Sequence, residues 1–247
     1  MQLTIYKDYP SLSAGVADLI LETVKNNPRA VLCLATGDTP LLAYQLLAEK
    51  ATNEKVDFTN CTFIALDEWV GIPPGNKGSC NYFLETHVLQ PLHFSPDRIY
   101  LFDVLSNDMA AECKKMDEAI ASSGAIDLLL AGVGLNGHLG FNEPGVSPDN
   151  FAHVANLDEI TQSVGQKYFT GPVKITQGIT LGLKHILKSK QLLLMANGIK
   201  KSAIIKKVLE GETNMDTPAA MIRTHANSMV LIDEEAASAL SANRSVV

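Results

Sequence analysis

The stretch that most constrains the fold is residues 126–145, with the sequence IDLLLAGVGLNGHLGFNEPG. Its first six residues are almost wholly apolar, which is typical of a strand buried on both faces of a parallel sheet. A polar loop with four glycines between residues 132 and 140 follows directly. Because ligands of open α/β sheets bind beyond the carboxyl ends of the strands, we expect a functional site on this loop.

A histidine and a carboxylate lie five residues apart on this loop, at His138 and Glu143. A glycine-rich turn lets the chain fold back, so that Glu143 holds one imidazole nitrogen while the other faces a substrate. The alternative is a solvated or capping histidine. The loop also fits G-x-G-x-x-G, but Pro144 and Pro148 interrupt the helix that a dinucleotide site requires.

Strand-like and helix-like patterns alternate along the chain. Such alternation is typical of an α/β fold with a doubly wound, mainly parallel, Rossmann-like sheet, and one domain over residues 1–247 is the simplest interpretation. Residues 149–172 have few core-like positions, and we expect them to form a flap over the site. The predicted strands cover residues 3–6, 30–35, 62–66, 98–101, 126–131, 176–181, 190–196 and 229–232.

The second predicted strand leads into residues 36–39 and then a helix. Thr39 is a good N-cap, Pro40 suits the first helical position, and the free amides of the helix start attract anions. An ordinary capped helix is the alternative. Asp38 is unusual here, because a carboxylate beside a phosphate would repel it. A lysine at the start of a later helix, Lys201, is either a phosphate ligand or a solvated side chain.

The third predicted strand ends at Asp67 and Glu68. Two acids at this position form either a functional site or a cap at the start of the loop. The functional interpretation is favoured because both would lie on the same sheet edge as His138.

Composition excludes several classes of function. The 247 residues carry a net charge of −7 with no block of Lys or Arg, so a nucleic-acid partner is not expected. No apolar run reaches the roughly 20 residues needed to cross a bilayer, and no membrane association is expected. Residues 1–9 lack the features of a signal peptide, and the four cysteines show no paired spacing. We therefore expect a cytoplasmic protein with reduced, buried thiols.

Three segments together resemble the glucosamine-6-phosphate deaminase (glucosamine-6-phosphate isomerase) family. They are GVGLNGHLGFNEP at residues 132–144, LDEWVG at 66–71 and TGDTP at 36–40. The resemblance covers nearly the whole chain in the same motif order, and the GHLGFNEP run is the most specific part. It implies a three-layer α/β domain and a hydrolase of amino-sugar catabolism. The implied reaction converts D-glucosamine 6-phosphate and water to D-fructose 6-phosphate and ammonia, without a metal or redox cofactor.

The resemblance also implies roles for individual residues. His138 opens the sugar ring, Glu143 orients His138 with the help of Asn136, and Asp67 moves a proton from C2 to C1. For that work the pKa of Asp67 must be raised, and we expect partial burial beside Glu68 to raise it. The implied phosphate ligands are Thr36, Gly37, Asp38, Thr39, Lys167 and Lys201.

Three departures from the family pattern have consequences. Lys167 stands where the family tends to carry arginine, so bidentate geometry is lost. Asn136 stands where many members carry aspartate, so we expect Glu143 to stabilise more of the imidazole charge. The hexameric, allosteric members have extra C-terminal sequence, so we expect a monomer or small homo-oligomer. A lactonase of the same fold and a non-catalytic sugar-phosphate sensor are the alternative functions.

Overall fold

Ten strands in two sheets form the framework of the computed structural model, which describes residues 1–241. The strands are β1 (Gln2–Tyr6), β2 (Val31–Leu34), β3 (Thr62–Ile64), β4 (Asp67–Trp69), β5 (Ile99–Tyr100), β6 (Leu128–Ala131), β7 (His153–Asn156), β8 (Gln177–Thr180), β9 (Gln191–Ala196) and β10 (Ser228–Asp233). The α-helices are α1 (Tyr9–Asn26), α2 (Asp38–Glu54), α3 (Cys80–Leu84), α4 (Met109–Ser123), α5 (Glu159–Gly165), α6 (Leu183–Lys188), α7 (Ser202–Glu210) and α8 (Glu234–Ala237).

The larger sheet has seven strands in the order β1-β10-β9-β6-β2-β3-β5, and every neighbouring pair is parallel. Its central strands, β2 and β6, are buried along their whole length, because helices cover both faces. The predicted doubly wound α/β fold is therefore confirmed. Among residues 1–241, no helix has the length and apolar character to cross a bilayer.

A second, three-stranded antiparallel sheet was not expected from the sequence. Its order is β4-β8-β7, so the pair Asp67 and Glu68 lies within a strand instead of at the start of a loop. The predicted strand at residues 176–181 pairs in this small sheet and not in the large one. Under it lies a separate apolar cluster that includes Trp69, Phe141 and Ile175.

The start of α2 differs from the prediction. Thr39 was expected to be the N-cap, but the cap is Gly37, whose φ of 107° lies in a region that glycine adopts readily. The helix therefore begins at Asp38, without a side-chain cap. By contrast, α3 has a side-chain cap, since the hydroxyl of Ser79 accepts a hydrogen bond from the backbone N–H of Tyr82 at 3.0 Å.

Residues 149–172 contain more regular structure than expected. They hold β7, α5 and a 3₁₀ turn, Gln166–Tyr168, which continues α5. Thr161 of α5 and Leu157 before it are buried. That this segment acts as a flap stays a prediction.

Candidate active site

A cavity of about 230 Å³ opens at the carboxyl ends of four neighbouring strands of the large sheet, β9, β6, β2 and β3. Eight of the ten site residues predicted from the sequence line it: Thr36, Gly37, Asp38, Thr39, Asp67, His138, Lys167 and Lys201. The other two, Asn136 and Glu143, lie behind His138 and contact it or each other. The structure thus brings the acid, the imidazole and the two lysines around one hollow.

The imidazole of His138 is held by Gly134, which lies against the ring, and by two side chains that contact Nδ1. Its ring lies against Gly134, where a built Cβ would come within 2.5 Å of the ring atoms, so only glycine leaves room for it. Nδ1 lies 3.1 Å from the hydroxyl oxygen of Thr161 and 3.4 Å from a carboxylate oxygen of Glu143. Within residues 1–241 Nε2 has no hydrogen-bond partner, so this nitrogen is available to a ligand in the cavity.

Glu143 contacts the groups that surround the imidazole on the side away from the cavity. It accepts hydrogen bonds from the side-chain amide of Asn136 at 2.7 Å and from the backbone N–H of Asp158 at 3.4 Å. Burial alone would raise the pKa of Glu143, but its hydrogen bond to His138 and the imidazole charge, with Thr161 and Asn136, outweigh burial and lower it. Glu143 is therefore an anion at neutral pH that can orient and stabilise a charged His138.

Asp67 faces the same cavity from the first position of β4. Opposite it, a Cβ built on Gly140 would lie 3.3 Å from Oδ2 of Asp67 and 2.7 Å from the Thr180 hydroxyl, so the glycine makes room for the carboxylate. Burial, and secondly the charge of Glu68, raise the pKa of Asp67 to about 7. A carboxylate with a pKa near the working pH is well matched to general base catalysis.

The two neighbouring acids have different structural roles. Glu68 points away from the cavity and is fully buried. Its carboxylate accepts backbone N–H bonds from Trp69 at 2.8 Å, Cys80 at 2.9 Å and Asn81 at 2.7 Å. It thereby anchors the start of α3, where the helix dipole favours an anion. Neither acid caps the start of a loop: Glu68 anchors α3, and Asp67 faces the cavity, where its function stays a prediction.

The anion loop at residues 36–39 is accompanied by two lysines. Lys201 donates a hydrogen bond to the carbonyl oxygen of Val133 at 2.5 Å, and burial together with the charge of Lys167 lowers its pKa to about 8. Lys167 forms an ion pair of 2.7 Å with Asp38. The carboxylate of Asp38, which would repel a phosphate, and the ammonium group of Lys167 therefore neutralise each other.

The side chains that line the cavity and that the sequence interpretation missed include four with polar groups: Lys77, Cys80, Thr161 and Tyr168. The hydroxyl of Tyr168 closes over the anion loop, 3.0 Å from where a Cβ on Gly37 would lie. None of the four belongs to a motif with a characteristic spacing. The loop at residues 71–78, rich in Gly and Pro, is a sequence signal that could have pointed to a functional residue such as Lys77, because loops often carry binding residues.

The family model described as glucosamine-6-phosphate isomerases/6-phosphogluconolactonase matches residues 9–231. The chain belongs to this family. A glucosamine-6-phosphate deaminase of Bacillus velezensis is 39% identical to it over 96% of this chain and 99% of the relative. A putative deaminase, AgaI, of Escherichia coli is 38% identical over 92% of this chain and 90% of the relative.

Solved structures of family members agree with this assignment. A structure described as a monomeric glucosamine-6-phosphate deaminase superimposes with a TM-score of 0.94 at 35% identity, covering 97% of this chain and 100% of the other. A 6-phosphogluconolactonase from Trypanosoma brucei superimposes with a TM-score of 0.75 at 20% identity, over 97% and 98% of the two chains. The second likeness shows a shared fold alone.

The expectation that this family member is a hydrolase is wrong. The family model names glucosamine-6-phosphate isomerases, and the relatives that share more than a third of its residues are named deaminases. The enzyme class that fits the family is an isomerase coupled to deamination.

Proposed function

We propose that this protein is a glucosamine-6-phosphate deaminase of amino-sugar catabolism. It converts D-glucosamine 6-phosphate and water to D-fructose 6-phosphate and ammonia. One observation carries the proposal: a buried acid, an oriented imidazole and an anion loop with two lysines surround a single cavity in a chain of this family. A sugar phosphate has a hydroxylated ring to be opened and a dianion to be held, and the cavity offers groups for both.

Asp67 is the base that moves the proton from C2 to C1 of the open-chain sugar. Its pKa of about 7 leaves a large share of the carboxylate ionised at neutral pH while keeping it basic enough to take a carbon-bound proton. The C1–C2 enolamine that forms takes a proton back at C1, which leaves an imine at C2. Water then adds at C2, ammonia leaves, and the C2 carbonyl of the ketose remains.

His138 opens the ring by moving a proton to the ring oxygen through Nε2. Contacts of Nδ1 with Thr161 and Glu143 support this assignment, because they fix the ring and leave Nε2 toward the cavity. Asn136 donates to Glu143 at 2.7 Å and keeps its carboxylate aimed at the imidazole. With an amide at position 136, Glu143 supplies the negative charge that balances a protonated His138.

The amides and hydroxyls of Thr36, Gly37 and Thr39 bind the 6-phosphate, together with Lys167 and Lys201. Support comes from the N-terminus of α2, a helix of 17 residues whose dipole favours an anion, and from the two ammonium groups beside it. Asp38, which the sequence also assigned to this set, is paired with Lys167 and competes with the phosphate for that lysine.

Residues 149–172 form a flap within a single catalytic domain. They bring Thr161 and Lys167 to the cavity, so a movement of α5 and the following turn would open the site and close it over the substrate. We further propose a cytoplasmic enzyme that is a monomer or small homo-oligomer. The likeness to a monomeric deaminase supports the second statement.

The direct test is to incubate the protein with glucosamine 6-phosphate and measure ammonia and fructose 6-phosphate. Equal amounts of the two products are expected, and Asp67→Asn should lower the rate about 10²–10⁴-fold. The control is Asp18→Asn, an exposed position on α1 outside the cavity, which should keep the parental rate. Absence of ammonia would reject the proposal, and turnover of 6-phosphogluconolactone instead would favour a lactonase.

A further inference from the structure

The side chain of Cys80 lies between the anion loop and the base, and the reaction just described gives it no role. It lines the cavity together with Thr36 and Asp67, and it is only 5% exposed. Its sulfur accepts a hydrogen bond from the hydroxyl of Thr36 at 3.4 Å. Its backbone N–H donates to Glu68 at 2.9 Å, so the position of the thiol is fixed from two sides.

The thiol of Cys80 lies beside the carboxylates of both Asp67 and Glu68. Glu68 already accepts three backbone N–H bonds, whereas no backbone N–H donates to the Asp67 carboxylate within residues 1–241, so Asp67 is the acceptor that lacks a donor. Burial, followed by the charges of Glu68 and Asp67, raises the pKa of Cys80 well above its ordinary value. At neutral pH the group is therefore an S–H donor and not a nucleophilic thiolate. A protonated thiol facing a carboxylate can only donate, and a donor favours the ionised form of its acceptor.

We propose that Cys80 is a positioning residue for the base: its S–H donates to Asp67 and aims the carboxylate into the cavity, while the hydroxyl of Thr36 holds the sulfur. The anion loop and the base are then joined by one hydrogen-bonded chain. This inference rests on the proposed role of Asp67 as the base. It adds Cys80 to the site as the group that links Thr36 of the anion loop to the base Asp67.

The surroundings of Asp67 make this donor important. The ionisable groups around it are Glu68 on its own strand, the thiols of Cys33 and Cys80, and His138 across the cavity. No Lys or Arg forms an ion pair with Asp67 within residues 1–241. Since burial and Glu68 both disfavour its charge, the thiol of Cys80 is the side-chain donor that acts in the opposite direction.

The test reads the protonation of Asp67 directly. The protein is labelled with ¹³C at the aspartate carboxyl carbons, the Asp67 signal is assigned by its loss in Asp67→Asn, and its titration is followed by NMR. In Cys80→Ala the pKa of Asp67 should rise by about half a unit to one unit, the size of one hydrogen bond. In Cys80→Ser, whose hydroxyl is the stronger donor, it should return to the parental value or fall below it.

A cysteine of α4, Cys113, supplies the matched control: Cys113→Ala also removes a buried thiol, but outside the cavity, and should leave the titration of Asp67 unchanged. The acidic limb of kcat/KM should move with the NMR titration in each variant. An Asp67 pKa that does not move in Cys80→Ala, or that rises as much in Cys80→Ser, would overturn the proposal.

Should Cys80→Ala not fold, the comparison of Cys80→Ser with the parental protein still decides, because a rise in the pKa of Asp67 there contradicts a donor role. The NMR titration needs no turnover. A protein that releases no ammonia would therefore count against the deaminase function, whereas an unmoved titration counts against the role of Cys80 alone.

Discussion

Replacing Asp67 with asparagine should abolish most activity and at the same time stabilise the fold. The carboxylate is 8% exposed, lies beside the buried Glu68, and forms no ion pair within residues 1–241. Its pKa in the folded protein is about 7, against an ordinary value of 3.8. A buried charge without a cationic partner lowers stability, and a neutral amide of the same shape removes that cost.

The magnitude follows from proton linkage. Below pH 3.8 Asp67 is protonated in both states and costs nothing. Between pH 3.8 and 7 the folded state binds more protons than the unfolded state, so stability falls as pH rises. Above pH 7 the full cost is present: a shift of about three units at 1.36 kcal/mol each is about 4 kcal/mol. In Asp67→Asn the amide oxygen accepts from Cys80 more weakly than the carboxylate does, which offsets about 1 kcal/mol of the gain.

The assay is urea unfolding of the parental protein and Asp67→Asn at pH 8.5 and pH 5. The variant should be about 3 kcal/mol more stable at pH 8.5. At pH 5 the linked cost is about 1.6 kcal/mol, so the gain should shrink to under about 1 kcal/mol. Asp18→Asn removes an exposed partner of Lys50 and should change the free energy of unfolding by less than about 1 kcal/mol at either pH.

Two results would refute this reasoning. One is an Asp67→Asn protein that is no more stable than its parent at pH 8.5, which would mean that the buried carboxylate charge does not destabilise the folded state. The other is a gain of equal size at both pH values, which would assign the stabilisation to packing and not to charge.

Three further predictions concern the groups around the base. Lys201 has a pKa of about 8, so kcat/KM should fall as the pH rises through 8. Lys201→Arg should move this basic limb of the pH profile above pH 10, and a limb that does not move would exclude Lys201 as its cause. Thr161→Val should lower kcat about two- to tenfold with little change in KM, because it loses one hydrogen bond to His138; steady-state kinetics that show only a KM effect would contradict this. Asp38→Asn should lower the KM for the sugar phosphate by releasing Lys167 to the phosphate, and a higher KM would show instead that Asp38 positions the lysine.

The large sheet was predictable because its strands are continuous apolar runs followed by turn residues. β2 and β6 are buried at every position, which is the pattern that the sequence displays. The small sheet was not predictable in this way. β4 is the three residues Asp67–Trp69, too short and too polar to show a periodicity, and it is stabilised by pairing with β8, which lies more than 100 residues later.

In the candidate site, too, contacts between residues near each other in sequence were predictable, and contacts between distant residues were not. His138 and Glu143 are five residues apart on one loop, so their contact could be anticipated from local spacing. Thr161 reaches His138 across 23 residues, and Cys80 reaches Thr36 across 44, so no spacing rule relates them. Such partners are set by how α5 and α3 pack over the sheet edge, which only the three-dimensional structure reveals.

Asp67 and Glu143 begin as similar acids, and their surroundings move them in opposite directions. Glu143 collects an imidazole, a side-chain amide and a backbone N–H, which together outweigh its burial and lower its pKa. Asp67 has a thiol as its side-chain donor and a second carboxylate next to it, so its pKa rises to about 7. Carboxylates whose pKa values are pushed apart divide into a permanent anion and a proton carrier. The imidazole beside Glu143 and the second carboxylate beside Asp67 therefore support the proposed orienting role of Glu143 and the proposed base role of Asp67, independently of the family resemblance.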